Sequence, residues 1–293
     1  VRTVSSMAKQ RIVIHADDVG MCHGANAAFV ELSHRGTITA GSVMVPCPWF
    51  SEMASIACDD DRLDVGVHLT LTSEHTHYRW GPVSDPPASA GLVGDDGFFH
   101  ASVAAVRERA DPGAVEVEWR AQIDRALDAG IDVTHLDAHM GAATAPEFAD
   151  RYVALGIEYD VPVLMTPTVD DYGPNNHLRG TTAEGWSRGA DAAREAGMPL
   201  FGTVLETDFG RARGEPVDYP ALLGSTDSDL VFCAFHPCRP GPGEVEVIEP
   251  DAHHVRTDEY DLFRTDAWTD WLAAQPFEPI GMRELRDEWR AMR

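Results

Sequence analysis

Residues 11–20 of the chain, RIVIHADDVG, join an apolar run from Ile12 to Ile14 to two adjacent carboxylates, Asp17 and Asp18. The β-branched run predicts a buried strand, and the polar residues after it are expected at the strand's carboxyl end. The same pattern recurs in three later segments: VGVHLTL (65–71), THLDAHMG (134–141) and FCAFHP (232–237). Because the carboxyl ends of parallel barrel strands meet at one mouth, we expect the four segments to be neighbours in space.

Short β-rich runs alternate with helical patterns along the whole chain. The predicted strands are 11–15, 39–45, 63–71, 132–136, 161–165, 200–205 and 229–236, and the predicted helices include 24–34, 114–129, 146–155 and 182–195. This alternation indicates an α/β protein with a mostly parallel sheet and helices outside it. About seven strands over this length favour a distorted (β/α) barrel, with an open doubly wound sheet as the alternative.

The 293 residues suit one large domain. We expect a leader at residues 1–10 and a single barrel domain at 11–293, with a long loop at about 73–112. The first part of that loop is rich in proline and glycine, which argues against a regular element. Long loops inside compact domains are often lids or binding surfaces.

The charge balance limits the classes of partner. With 23 basic and 48 acidic residues the formal charge is −25, and Lys9 is the only lysine. Such a chain repels nucleic-acid phosphates and anionic membranes, so neither is expected as a partner. The five cysteines include no C-x-x-C pair, which argues against a thiolate zinc site and favours a reducing compartment. With no membrane-length apolar run or signal peptide in the sequence, we expect a cytoplasmic protein, and a homo-oligomer stays open.

The four polar segments offer the ligand types of a divalent metal site. Carboxylate oxygens and imidazole nitrogens bind such ions. Successive side chains of a strand point to opposite faces, so Asp17 and Asp18 are not expected to share one role. One can bind a metal while its neighbour acts as a base.

The segment THLDAHMG spaces three polar side chains two residues apart. If it is extended, His135, Asp137 and His139 lie on one inward face. Only His139, nearest the strand end, is expected to reach the mouth and bind a metal. The other two are expected to lie deeper, where such groups orient the ligands.

Taken together, the segments resemble the signature of the YdjC-like carbohydrate deacetylases, relatives of chitooligosaccharide deacetylase and of hopanoid-associated deacetylases. The stretches that carry the resemblance are HADDVG, TAGSVMV, VGVHLTLT, THLDAHMG, TSEHTHYRWGPVS, GLVGDDGFF, PEFADRYVALGIEYDVPVLM and the late His-Pro. They cover most of residues 11–240. The resemblance implies a distorted, polysaccharide-deacetylase-like (β/α) barrel that holds one divalent ion, usually magnesium, and hydrolyses N-acetyl groups on sugars.

By matching motifs, the resemblance also implies roles for individual residues. Asp18, His68 and His139 would bind the metal, and Asp17 would be the general base. His236 is similar in placement to the histidine acid of the wider polysaccharide-deacetylase group.

One departure from the wider group concerns the base. That group often has an arginine that supports it, whereas this chain has Met165 and Thr166 at the expected place. Either another residue orients Asp17, or its role as base does not hold.

The resulting hypothesis is a hydrolase of linear amide C–N bonds, in which a metal-activated water and the Asp17 base remove acetate from an N-acetylated sugar. Magnesium is implied by the resemblance, while imidazole ligands favour zinc or another transition metal. One alternative is a metal-dependent phosphoesterase on the same barrel, which would need more cationic residues than Arg239 beside His236. Another is a non-catalytic sugar-binding barrel, against which the retention of both Asp17 and Asp18 argues. A barrel whose histidines are only structural is the third.

Overall fold

A computed structural model describes residues 9–173 and 183–293, so residues 1–8 of the expected leader and Thr182 of a predicted helix lie outside it. The strands are β1 (Arg11–Val19), β2 (Ala40–Val43), β3 (Val65–Leu69), β4 (Val133–Ala138), β5 (Thr203–Glu206), β6 (Leu230–Phe235) and β7 (Glu278–Pro279). The helices are α1 (His23–Arg35), α2 (Phe50–Asp59), α3 (Val103–Arg109), α4 (Pro112–Asp128), α5 (Ala149–Glu158), α6 (Ala183–Glu195), α7 (Tyr219–Leu223), α8 (Val245–Ile248), α9 (His253–Phe263), α10 (Asp266–Ala273) and α11 (Met282–Ala291).

The seven strands form one parallel sheet in the order β4-β3-β2-β1-β6-β5, with β7 paired to the first residues of β1. The segment 161–165 lies between the edge strands β4 and β5. Val163 makes a parallel bridge with Leu136, and the Phe201 N–H donates to the Met165 carbonyl over 2.9 Å. The predicted α/β fold of about seven parallel strands is confirmed, and among the described residues isolated backbone contacts of 161–165 join the two edges of the sheet.

Two details of the strand prediction differ from the structure. Residues 161–165 were expected to form a full strand, but Pro162 has no N–H to donate to a ladder and only its carbonyl is used, by Leu136. Strand β7 consists of an exposed Glu-Pro pair without an apolar pattern, so nothing in its sequence predicted it. The long loop is irregular up to Ser102 apart from a short turn, and α3 then occupies 103–109.

Helix ends follow ordinary capping chemistry. Helix α4 begins where the Asp111 side chain accepts the Ala114 N–H and Pro112 fills the first turn. Helix α1 ends at Gly36, whose φ of 73° is the left-handed conformation that glycine adopts without strain. Among the helices of the described residues, none has both the length and the apolar character needed to cross a membrane.

The sheet has two distinct faces. Ile12 and Ile14 of β1 belong to the large apolar cluster beneath the helices, whereas Val13 between them belongs to a second cluster with residues of β5, β6 and α11. We call the side of Val13 the inner face. Since side chains alternate along a strand, His15 and Asp17 continue on this face toward the carboxyl end of β1.

Candidate metal and catalytic site

The two adjacent aspartates end up in the same cavity. Asp17 and Asp18 both line it, although strict alternation predicted that they would point opposite ways. The reason is local: the β1–β2 register shifts between Ala16 and Val19, and Asp18 has a φ of 59°. A left-handed conformation at a residue other than glycine is unusual and recurs at functional sites.

The three predicted metal ligands converge. The Asp18 Oδ1 atom lies 3.3 Å from His68 Nε2 and 3.0 Å from His139 Nδ1. All three side chains are buried, and their donor atoms lie within 4.8 Å of one another. Ligand atoms about 2.0–2.2 Å from a shared ion lie at separations of this order. One carboxylate oxygen and two imidazole nitrogens therefore fit a divalent cation.

His139 reaches the mouth because the chain turns sharply after β4. Met140 and Gly141 both have positive φ, 55° and 64°, and lead the chain away from the strand direction. As predicted, Asp137 and His135 lie deeper on β4 and are buried.

Each candidate histidine ligand places its other ring nitrogen against a carboxylate. His68 Nδ1 lies 2.9 Å from Asp137 Oδ1, and His139 Nε2 lies 3.0 Å from Glu74 Oε1. Histidines that bind metals usually donate the second ring N–H in this way, which fixes the ring and makes it a better ligand. Glu74 was not predicted, since it lies in the irregular loop, where no spacing rule points to a ligand partner.

The electrostatic field of the cluster is suited to a cation. Burial lowers the pKa of His68, but Asp137 and the other nearby carboxylates outweigh it and raise the pKa well above its usual value. Burial likewise opposes the charged form of His139, while Glu74 and Asp18 raise its pKa to about 9. A site that holds protons this strongly has an excess of negative charge, which a metal ion can neutralise in place of the protons.

Arg256 of α9 is the second residue of the cluster that the sequence did not predict. It is buried, and its Nη1 donates to Asp18 Oδ2 over 2.8 Å while Nε donates to Glu249 over 2.6 Å. Burial raises the pKa of the Asp18 carboxyl, but Arg256 and His139 outweigh it and hold that pKa well below its usual range. Asp18 is therefore ionised, with Oδ2 held by the arginine and Oδ1 facing the two imidazoles.

Asp17, the predicted base, has no arginine partner in the part of the chain that the structure describes. Its Oδ1 lies 2.6 Å from His15 Nδ1, and its Oδ2 lies 3.8 Å from His236 Nε2 and 4.0 Å from His68 Nε2. The side chain that contacts Asp17 most closely is thus the imidazole of His15.

His236 follows β6 at the same end of the sheet. Its backbone N–H donates to Glu259 over 2.6 Å, and its ring packs edge-on against Phe209 with centroids 4.7 Å apart. Burial lowers the pKa of His236, and Asp17 offsets only part of that. The ring is therefore held beside Asp17 in its neutral form, and its Nδ1 has no hydrogen-bond partner among the described residues.

The cavity over these groups has a volume of about 620 Å³, within the usual range for small-molecule sites. Its outer lining includes four further acidic side chains and two aromatic ones: Glu74, Glu206, Asp208, Glu249, Tyr172 and Phe209. Among the described residues, Arg256 is the one arginine that lines it, and both of its partners are carboxylates. Arg239 is exposed and does not line the cavity.

Sequence comparison finds relatives over most of the chain. The family model described as YdjC-like protein matches residues 11–274. A carbohydrate deacetylase of Thermus thermophilus is 34% identical over 162 residues, which cover 55% of this chain and 56% of that protein. A carbohydrate deacetylase of Brevibacillus brevis is 30% identical over 217 residues, 72% of this chain and 78% of that protein. The chain thus spans little more than half the length of the Thermus relative that it matches.

Two solved structures have a similar fold. A protein of Enterococcus faecalis V583, named provisionally for cellobiose-phosphate cleavage, superposes with a TM-score of 0.73 at 18% identity, covering 94% of this chain and 99% of its own. An uncharacterized protein of Agrobacterium tumefaciens C58 gives a TM-score of 0.51 at 12% identity, covering 97% and 92%. At these identities the similarity concerns the fold alone.

Proposed function

The chain belongs to the YdjC-like protein family, and from this membership and the geometry of the site we propose that it is a metal-dependent carbohydrate deacetylase. Its reaction is the hydrolysis of an N-acetyl group from an amino sugar or oligosaccharide. The observation that carries the proposal is the buried cluster of Asp18, His68 and His139 with Asp17 beside it at the floor of one cavity.

Asp18 Oδ1, His68 Nε2 and His139 Nδ1 are the atoms that would hold the ion. A bound divalent cation supplies Lewis acidity toward the acetamide carbonyl. Magnesium is the ion that the family resemblance favours, while the two imidazoles favour zinc or another transition metal. Asp137 and Glu74 keep both imidazoles in place through their second ring nitrogens.

Asp17 is suited to act as the general base. One of its oxygens is held by His15, and the other faces His236 and His68 at the cavity floor. A carboxylate in this position can take the proton of the attacking water. The proton that Asp17 takes from the water can pass to neutral His236 through Nε2, 3.8 Å away, and from there to the leaving amine nitrogen, giving acetate and a free amino sugar.

The cavity's charge disfavours a phosphoesterase. Its carboxylates repel a phosphate dianion, and its arginine is already paired with Asp18 and Glu249. A sugar-binding barrel without catalysis would need no second carboxylate beside the ligand set. A cytoplasmic location is part of the same proposal, supported by five cysteines that are all free thiols.

The test is acetate release from a panel of N-acetylated oligosaccharides by protein stripped of metal and reloaded with magnesium, zinc, manganese or cobalt. Asp17→Asn is expected to fold and bind metal normally while acetate release falls by about 10²- to 10⁴-fold. Asp191→Asn, the same substitution on the exposed face of α6, is the matched control. Undiminished release by Asp17→Asn would remove it as the base, and phosphate release from phosphorylated sugars without acetate release would favour the phosphoesterase.

A further inference from the structure

A continuous path of buried hydrogen bonds leads from Asp17 to the opposite end of the sheet. His15 contacts Asp17 through Nδ1 and His135 through Nε2, the two Nε2 atoms being 2.9 Å apart. His135 Nδ1 lies 2.9 Å from Thr134 Oγ1, which lies 2.5 Å from Asp64 Oδ1. We call these five residues the relay.

The relay ends at the carboxyl group of Asp64, where Thr134 is the one side chain of the relay that it contacts. Asp64 directly precedes β3, at the amino ends of the strands, and its second oxygen accepts the Arg283 N–H over 2.7 Å. His15, His135 and Thr134 are completely buried, and Asp64 nearly so. The path therefore crosses the interior from the site to the far end of the sheet.

The fold makes room for this path. Strands β1 and β4 are separated in the sheet by β2 and β3, so His15 and His135 meet across the inner face and not along a ladder. Gly66 of β3 lies under the second ring: a Cβ at this position would be 2.4 Å from His135 Cε1. Since real Cβ atoms do not approach so closely, a side chain at residue 66 would displace the imidazole from His15.

The hydrogen-bond donors and acceptors along the path can be assigned one after another, starting from Asp17. Burial lowers the pKa of His135 to about 3, so that ring is neutral and has one N–H and one bare nitrogen. If neutral His15 donates from Nδ1 to the Asp17 carboxylate, its Nε2 must accept from His135 Nε2. The Nδ1 atom of His135 must then accept the Thr134 hydroxyl proton.

The same assignment of donors and acceptors continues to Asp64. The Thr134 hydroxyl has one proton, so if it donates to His135 its oxygen must accept from a protonated Asp64, whereas an ionised Asp64 would accept the Thr134 hydroxyl instead. Burial raises the pKa of Asp64, which favours the protonated carboxyl that this arrangement requires. Every link is then satisfied, with the negative charge at Asp17.

We propose that the relay positions the catalytic base: Asp64 and Thr134 select the ring tautomers of His135 and His15, and the resulting Nδ1–H of His15 holds Asp17 Oδ1 so that Oδ2 faces the cavity. The catalytic part of this inference rests on the proposed function. Asp64, Thr134, His135 and His15 are positioning residues, since none of them lines the cavity.

Other groups also face Asp17 and must stay constant in a test. They are His68 of β3, Asp137 of β4, His236 after β6 and the neighbouring Asp18. None of them contacts Thr134 or Asp64 by a hydrogen bond. Substitutions at the far end of the relay therefore leave the first contacts of Asp17 in place.

The first experiment measures imidazole ¹⁵N chemical shifts of His135 in the intact folded protein. We expect a proton on Nε2 and none on Nδ1. Asp64→Asn should keep this tautomer, because the amide N–H can donate to Thr134 while the amide oxygen accepts from Arg283. Thr134→Val should populate both tautomers, because only the contact with His15 then favours a proton on Nε2, and a wild-type proton on Nδ1 would overturn the proposal.

The second experiment measures acetate release by the same proteins. Thr134→Val should lower kcat about five- to tenfold with little change in KM, the loss expected when one hydrogen bond no longer positions the base. Asp64→Asn should stay within about twofold of wild type. Thr37→Val, which removes a buried hydroxyl bonded to the Leu32 carbonyl, is the matched control.

The outcomes distinguish the positioning role of the relay from the proposed deacetylase function. Equal kcat values for Thr134→Val and Thr37→Val, or an Asp64→Asn protein as impaired as Thr134→Val, would contradict the positioning role. If wild type releases no acetate from any substrate while His135 has the expected tautomer, the relay stands and the proposed deacetylase function fails.

Discussion

The two halves of the inner face have opposite chemistry. Beyond Val13 and Ala40, toward the carboxyl ends of β1 to β4, the inward side chains are polar and pair with one another: His15, Asp17, Ser42, His68, His135 and Asp137. On β5, β6 and the segments beside them they form an apolar cluster that includes Leu164, Phe201, Val204, Phe232 and Ala234. One sheet therefore carries both a preorganised site and the packing that supports it.

The difference lies in how each half tolerates change. A buried polar group is costly unless each donor and acceptor is paired, so the polar half depends on every partner. The apolar half gains from the area it buries and from close packing, and it tolerates substitutions of similar volume. Substitutions in the polar half should thus alter metal binding and activity, whereas a substitution in the apolar half at a residue that does not line the cavity, such as Phe201, should alter stability alone.

The largest effect is expected from His139→Ala. Loss of one of three ligands should abolish stoichiometric metal binding and lower acetate release by about 10³-fold or more, since the ion supplies several kcal/mol of charge stabilisation. Elemental analysis of the dialysed protein measures the first effect, and acetate release measures the second.

His100→Ala is the matched control for this substitution. His100 is also a buried histidine, but it bonds the Gly91 carbonyl in the long loop and lies outside the ligand cluster. Full metal occupancy in His139→Ala, or equal loss in both variants, would contradict the ligand assignment.

The polar half was also the half that the sequence predicted best. Polar residues directly after apolar runs pointed to Asp17, Asp18, His68 and His139, and the parallel sheet does bring them to one end. Glu74 and Arg256 could not be predicted, because an irregular loop and a distant helix deliver them and neither segment has a periodic pattern. The contact of His15 with Asp17 lies within β1, whereas its contact with His135 depends on β1 and β4 meeting across the inner face, which no local pattern predicts.

The fold was predictable where the apolar pattern is strong. The strands around Ile12, Val67 and Phe232 are all present, because buried parallel strands give continuous apolar runs. The segment around Val163 has such a run, yet Pro162 reduces it to one bridge. Asp18 escaped the alternation rule because its left-handed backbone turns the side chain toward the cavity, and although aspartate adopts that conformation more often than most residues, a strand pattern does not predict it.

A smaller effect, on stability and not on metal binding or activity, is expected from Phe201→Leu in the apolar half. Phe201 is fully buried against Phe232, so the change of shape should cost about 1–2 kcal/mol of unfolding free energy. Urea unfolding measures it. Metal content and kcat should match wild type, and a loss of metal in this variant would show that the two halves are not separable.

The smallest effect concerns the far end of the relay, where Asp64 lies between the two halves. Burial raises the pKa of its carboxyl, so the folded protein keeps a proton that the unfolded chain releases above about pH 4. Stability therefore falls as pH rises from there toward the folded-state pKa, by at most about 1.4 kcal/mol per pH unit. Asp64→Asn cannot titrate, so its unfolding free energy relative to wild type should increase as the pH rises from about 4 toward the folded-state pKa of Asp64. A difference that is flat or decreases over that range would mean that Asp64 is ionised in the folded protein, and the proton direction from Asp64 to Asp17 would be reversed.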